Sequence, residues 1–287
     1  MSSKFHTLPT IDAENHGDWS RRAIYCFCPL GENREMPDHS FEPMRVNGQT
    51  FHVTKKKPFS PNGQIRSSTI ETVLKFAFDM TYGSKGQHRD HRSGGTAKRS
   101  NAQIMSDTYQ GKLSEFALAN ILYKLEGFIP PDTSTYDLGE WESADFQVGL
   151  NHFSVKSTKY FGNLLLLEKR DWDAFGRYLP TGENPKSYTH IVLVRISPDI
   201  EELISPKSSS SEPSYEKLLM KLLDRKWEYE ITGYITSEDL MRIMKMGHLI
   251  PRGALLNGKV RMDATNFYVQ AADLRSFVDL KKSLNLA

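Results

Sequence analysis

The sequence predicts a mixed α/β fold, with a central sheet flanked by helices. Some segments repeat apolar residues at helical spacing, others are short alternating or β-branched runs, and the two kinds interleave along the chain. Of the 287 residues, 38% are hydrophobic and 25% are charged, which is ordinary for a globular protein. At this length we expect one core domain with elaborations.

The first part of the chain is expected to be irregular. Residues 1–66 are rich in Pro, Gly and Asn and contain only short strand-like runs, so they predict a hairpin or two. Residues 68–80 carry apolar side chains at helical spacing, with Ser68 or Thr69 as the cap. Residues 82–101 are polar, basic and contain glycine, which predicts a long loop.

The most regular helix is expected at 104–125, where apolar residues form a broad face. Residues 144–148 and 152–158 predict two strands, joined by a short turn into an antiparallel hairpin. The run at 189–196 predicts a buried strand. After a polar loop at 205–213, the expected elements are helix 214–224, strand 227–234, helix 237–246, strand 267–270 and helix 272–280.

The net charge of +2 hides an asymmetry along the chain. Residues 45–100 contain eleven Lys or Arg and three acids, a local balance of +8, so the rest of the chain carries −6. A basic segment on a slightly acidic body indicates a face that meets a polyanion, although a solvated, lysine-rich loop has the same composition. The candidate nucleic-acid contacts are Lys55, Lys56, Lys57, Arg66, Arg89, Arg92, Lys98 and Arg99.

A cytoplasmic protein without a membrane span is expected. No apolar run approaches the length needed to cross a bilayer, and the first ten residues lack the apolar stretch of a secretory signal. Cys26 and Cys28 are separated by one residue, which suits a reducing compartment better than a disulfide framework.

Three pieces of sequence carry residues suited to phosphodiester chemistry. They are Gly111-x-x-x-Glu115 on the long helix, Asp145 in the first hairpin strand and Ser154-Val155-Lys156 in the second. Carboxylates hold magnesium because a hard cation takes oxygen ligands. A lysine beside the metal can orient the attacking water and stabilise the developing charge.

The spacing favours a shared site. Side chains alternate along a strand, so Ser154 and Lys156 are expected on one face and Val155 on the other. The tight turn is expected to bring Asp145 alongside that pair. The alternative is a surface Asp–Lys pair on a hairpin.

The runs GKLSEFALANIL, SADFQV and FSVKST resemble the PD-(D/E)XK nuclease superfamily, in particular its type II restriction endonucleases. The resemblance covers about residues 108–160 and implies a mixed sheet with flanking helices, magnesium and cleavage that leaves a 5′-phosphate. By position it implies that Asp145 is the central metal ligand, Lys156 the motif lysine and Glu115 the acid from the preceding helix. The backbone carbonyl of Val155 would be a further metal ligand.

Two positions depart from the family pattern. Ala144 stands where the family has proline, and Ser154 stands where a second acid is usual. A serine supplies no charged ligand, so Glu168 or Glu115 would have to serve. Glu115 is preferred because it lies beside the apolar face of its helix. If neither substitutes, the site would bind one metal weakly or be inactive.

The sequence therefore predicts a restriction-endonuclease-like fold, with residues 1–100 as an N-terminal region carrying a basic DNA-contacting segment and residues 101–287 as the nuclease core. The expected activity is magnesium-dependent cleavage of double-stranded DNA by a type II restriction enzyme, with catalytic residues Asp145, Glu115, Ser154 and Lys156. A homodimer is expected because cutting both strands suits a two-fold enzyme. The alternatives are another nuclease of the superfamily, serving repair, a phage or a mobile element, or a DNA-binding protein on this fold without catalysis.

Overall fold

The computed structural model describes residues 39–83, 99–133, 146–180, 185–204, 214–284 and 286. Contacts group residues 39–287 into one compact unit. The segment 39–83 and the described residues that follow 100 belong to this unit.

The described residues form six α-helices and twelve strands. The helices are α1 (Ser67–Tyr82), α2 (Asn101–Leu122), α3 (Ile200–Ile204), α4 (Tyr215–Leu223), α5 (Ser237–Met246) and α6 (Phe277–Ser283). The strands are β1 (Arg45–Asn47), β2 (Thr50–His52), β3 (Gly63–Gln64), β4 (Phe146–Val148), β5 (Asn151–Lys159), β6 (Leu164–Glu168), β7 (His190–Ser197), β8 (Glu228–Thr236), β9 (Leu249–Ile250), β10 (Leu255–Leu256), β11 (Val260–Arg261) and β12 (Asn266–Gln270). None of these described helices combines the length and apolar character needed to cross a bilayer.

A five-stranded sheet in the order β3-β8-β7-β5-β4 lies at the centre. β5 and β7 run parallel, and the other neighbours in this sheet are antiparallel. The predicted α/β class and the mixed sheet are confirmed. Two smaller sheets, β6-β12-β9 and β1-β2-β10-β11, add strands that the sequence analysis did not separate from the central sheet.

One face of the central sheet is covered by α1 and α2. We call the apolar cluster on this face the helix-side core; it includes Val73, Leu74, Tyr109, Leu113, Phe153, Val192 and Val194. α2 begins at a capping box in which the Ser100 hydroxyl accepts a hydrogen bond from the Gln103 amide at 3.3 Å. The helix is buried on almost every side, because it lies between α1 and the sheet.

The opposite face is covered by strands and by α5. We call this cluster the strand-side core; it includes Leu165, Leu167, Ile191, Leu193, Ile235, Leu240, Phe267 and Val269. α5 begins after Thr236, whose side chain forms a capping box with Asp239, which confirms the predicted start of that helix. Beyond the β6-β12-β9 sheet lies a third cluster, the outer core, made of Met44, Leu164, Ile250, Ala254, Met262 and Tyr268.

Candidate functional site

The candidate site is built on the β4–β5 hairpin. Phe146 pairs with Phe153 and Val148 pairs with Asn151 in an antiparallel register. The connecting turn has Gly149 at φ +58°, a conformation that glycine adopts without strain. β4 begins at the residue directly after Asp145, and Asp145 itself lies outside the described residues.

Ser154 and Lys156 lie on the same face of β5. In the parallel register with β7 they are opposite Ile191 and Leu193, whose side chains pack in the strand-side core. Val155 points the other way and packs against the helix-side core. The alternation expected from the sequence therefore places Lys156 and α2 on opposite faces of the sheet.

Lys156 is half-buried beside an aromatic ring. Its Nζ lies 5.5 Å from the ring centroid of Tyr178, within the range of a cation–π interaction. Tyr178 forms backbone bridges with Trp172 on one side and Lys186 on the other. Within the described segments Lys156 has no ion pair with a carboxylate. Its charge is therefore not neutralised by any acid whose position is described.

The edge of β5 next to Lys156 is not covered by a described strand. The paired part of β4 covers only Asn151 to Phe153. From Ser154 to Lys159, β5 pairs with β7 on its inner side alone among the described strands.

Glu115 lies on α2 in a pair with another buried side chain. Its Oε2 is 2.7 Å from Lys112 Nζ, and the two side chains are 14% and 7% exposed. Lys112 Nζ also lies 5.0 Å from the Phe76 ring centroid, so this pair is near α1. α2 meets β5 through Gln110, whose amide donates to the Ser157 hydroxyl at 3.3 Å on the helix side of the sheet. The described residues thus do not bring Glu115 and Lys156 to one face.

Glu168, the other candidate acid, ends β6 in the three-stranded sheet. Its Oε1 is 2.6 Å from Arg170 Nε. Along β6, Glu168 alternates with Leu167, which packs in the strand-side core. The Glu168 side chain therefore lies on the same face of the strand as Leu166, which packs against the outer core. Glu168 therefore faces away from the layer that contains Lys156.

The proposed metal ligands are only partly described. Among the residues that the structure places, no three His, Cys, Asp or Glu side chains gather closely enough to hold an ion. Glu115 and the Val155 carbonyl are oxygen donors of the kind that magnesium prefers. Asp145, the third proposed ligand, lies outside the described residues.

The basic residues assigned to nucleic-acid binding have different surroundings. Lys57 Nζ donates to the Thr232 carbonyl at 2.5 Å, and burial lowers the pKa of Lys57. Lys55 forms an ion pair with Glu42 at 2.6 Å, and Arg99 forms one with Asp107 at 2.9 Å. Lys56 and Arg66 are exposed, whereas Arg89, Arg92 and Lys98 lie outside the described residues.

Two neighbours of the candidate residues were not singled out from the sequence. Lys112 could have been found, because it stands three residues before Glu115 on a helix. Tyr178 gave no local signal, because its contact with Lys156 joins segments that are distant in the chain. Comparisons of the chain with protein-family models, with curated proteins and with solved structures found no match.

Proposed function

We propose that this chain is a magnesium-dependent endonuclease that hydrolyses phosphodiester bonds in double-stranded DNA, as a type II restriction enzyme does, on a restriction-endonuclease-like fold. The observation that carries the proposal is the position of Lys156. It lies in the part of β5 whose outer side pairs with none of the described strands, on the face it shares with Ser154, in a hairpin whose first strand starts directly after Asp145.

The surroundings of Lys156 suit a phosphate partner. A half-buried ammonium group is costly unless an opposite charge or strong hydrogen bonds compensate it. The Tyr178 ring offers a weak attraction, and no described carboxylate neutralises the charge. A phosphate beside Lys156 would supply a negative charge, and the ammonium group would stabilise the charge that develops on the phosphate during hydrolysis.

Asp145 completes the proposal from the other strand. If the antiparallel register ran one residue past the Phe146–Phe153 pair, Asp145 would stand opposite Ser154, on the face of Lys156. Asp145 would then hold the metal, while Ser154 can supply only a neutral oxygen. Bound magnesium would neutralise phosphate charge and lower the pKa of a water molecule.

We propose Glu115 rather than Glu168 as the second acid. Glu168 faces the outer core side of another sheet and pairs with Arg170. Glu115 comes from the opposite face of the central sheet, so its carboxylate would have to reach the ion around the edge of β5.

The remaining parts of the proposal follow from the class of enzyme. Cutting both strands of a duplex suits a homodimer, and a restriction enzyme acts in the cytoplasm. Exposed cations such as Lys56 and Arg66 would contact backbone phosphates. Other nucleases of the superfamily would share the same residues and differ in the DNA that they cut.

A plasmid digest tests the function directly. Supercoiled plasmid is incubated with the full chain in magnesium and, as the control, in EDTA. Discrete fragments in magnesium alone are expected for a sequence-specific enzyme, and sequencing of their ends would show the cut position. A smear would favour a non-specific nuclease of the same superfamily. No cleavage of DNA carrying many different sequences, even at high protein concentration, would overturn the proposal and favour a binding protein.

A further inference from the structure

A tight turn follows Trp172 and ends at Tyr178, the residue whose ring lies under Lys156. Asp173 organises it: its Oδ1 accepts hydrogen bonds from the backbone amides of Phe175 at 2.9 Å and Arg177 at 2.8 Å. Its Oδ2 accepts from Arg177 Nε at 2.7 Å. The backbone closes the turn as well, since the Asp173 amide donates to the Arg177 carbonyl at 3.0 Å. The turn is therefore held in one conformation by local hydrogen bonds.

The turn presents an aromatic side chain to solvent. Phe175 is 70% exposed, and the Arg177 guanidinium carbon lies 5.4 Å from the centroid of its ring. A single exposed apolar side chain needs no special explanation. An exposed ring held by an ordered turn beside an arginine is different, because stacking rings and arginines supply much of the affinity in nucleic-acid and protein interfaces.

Cationic residues stand near the base of this turn. Lys156 lies over the Tyr178 ring, Arg177 precedes Tyr178 in the chain, and Lys186 exchanges two backbone hydrogen bonds with it at 2.7 and 3.0 Å. Asp173 binds the guanidinium group of the half-exposed Arg177 through Nε, which is one of its five N–H donors. Lys156 Nζ lies at the Tyr178 ring and Arg177 directly precedes Tyr178, so a duplex bound at Lys156 would pass close to this turn.

We propose that the turn from Asp173 to Arg177 is a DNA-contacting element that grips the duplex beside the scissile phosphate. Arg177 contacts a backbone phosphate, and the Phe175 ring packs against a sugar or base. The inference rests on the proposed nuclease function, because it takes Lys156 as the reaction centre. The occupant is duplex DNA because the turn leads directly into Tyr178, whose ring contacts Lys156 at the proposed reaction centre.

Binding measurements without catalysis test this inference. A fluorescently labelled duplex fragment is titrated with the full chain in EDTA at several salt concentrations, and the affinity is followed by anisotropy. Phe175→Ala is expected to weaken binding about tenfold without changing the salt dependence. Arg177→Gln is expected to lower the slope of log affinity against log salt by about 0.9, the value for one lost phosphate contact. Arg177→Lys keeps the charge and is expected to keep the slope.

The chain offers a matched control on another element. Tyr123 is 59% exposed, and Lys124 Nζ lies 5.9 Å from its ring centroid, so the pair resembles Phe175 and Arg177 in exposure and charge. Both residues follow α2, on the other side of the sheet. The double variant Tyr123→Ala/Lys124→Gln is therefore expected to bind DNA like the wild type. Circular dichroism confirms that each variant is folded.

The outcomes separate the inference from the function on which it rests. If the wild type cuts plasmid DNA and the Phe175 and Arg177 variants bind as the control does, the turn is not a DNA contact and the nuclease proposal stands. If the wild type neither binds nor cuts DNA, both proposals fall. If the Phe175 and Arg177 variants lose affinity for DNA and the control does not, the turn is a DNA contact, as proposed.

Discussion

Arg195 and Glu230 face each other across β7 and β8 and form a buried ion pair, with Nη2 2.5 Å from Oε2. Their side chains are 1% and 2% exposed. Arg195 also donates to the carbonyls of Lys57 at 2.8 Å and Pro58 at 2.9 Å. The pair therefore fastens the segment around Lys57 onto the central sheet, beside the β5 strand that carries the candidate lysine.

Replacing Glu230 by Gln is expected to destabilise the protein strongly. The change leaves the Arg195 charge buried without its carboxylate, which typically costs about 3 kcal/mol or more. Urea unfolding at neutral pH measures the loss. The matched control is Glu228→Gln, which breaks a more exposed pair with Lys226 and is expected to cost about 1 kcal/mol or less. Equal stabilities for the two variants would contradict the account.

The local parts of the fold could be predicted from the sequence. Helical spacing predicted α1 and α2 to within a few residues, and the helix predicted at 237–246 has the bounds of α5. The hairpin was predicted because strand-like runs flank a short glycine-containing turn. These patterns are set by neighbours in the chain, so a single sequence contains them.

Long-range pairing could not be predicted in the same way. Lys57 looked like a DNA contact because it lies in a basic run, whereas its ammonium group bonds the Thr232 carbonyl inside the fold. Glu115 was expected beside Lys156, yet the described structure places α2 on the other face of the sheet. The position of a helix over one face of a sheet depends on packing between distant segments, which residue spacing does not encode.

Acidification is expected to destabilise the protein partly through His190. Burial lowers the pKa of His190 to about 4, whereas its unfolded value is near 6.5, so the unfolded chain takes up the proton first. The contribution of His190 to the free energy of unfolding is fully present above pH ~6.5. It is lost as the pH falls towards the folded pKa, and the loss reaches up to about 3 kcal/mol. Urea unfolding at intervals across this pH range measures the loss of stability.

The His190→Gln variant isolates that contribution. It is expected to lose less stability between neutral pH and pH ~4 than the wild type does. A smaller slope should remain, because burial also lowers the pKa of His248. Parallel pH profiles for wild type and variant would show that His190 does not carry the effect.

Asp239 is expected to affect the stability of the protein over a lower pH range than His190 does. Burial opposes its ionisation, but hydrogen bonds from Arg275 at 2.6 and 2.9 Å and from the Thr236 amide outweigh it, so the pKa of Asp239 lies below its usual value. Its stabilisation is present above the unfolded pKa of ~3.9 and is lost as the pH falls through the lower folded pKa.

Asp239→Asn is therefore expected to lose about 3 kcal/mol at neutral pH. The difference from the wild type should shrink below pH ~4, where the unfolded carboxylate is already protonated. The exposed Asp279→Asn change serves as the control and should have a small effect throughout. A constant difference at all pH values would contradict the role given to the Asp239–Arg275 pair.

The cleavage rate of the Lys156→Met variant tests the central claim most directly. Methionine keeps the apolar stem against Tyr178 and removes the charge, so the fold should be preserved in circular dichroism and urea unfolding. If Lys156 stabilises the reacting phosphate, plasmid cleavage in magnesium should fall by about 100-fold or more, whereas the exposed Lys217→Met control should cut like the wild type. A Lys156→Met protein that cuts DNA at the wild-type rate would contradict the assignment of the site.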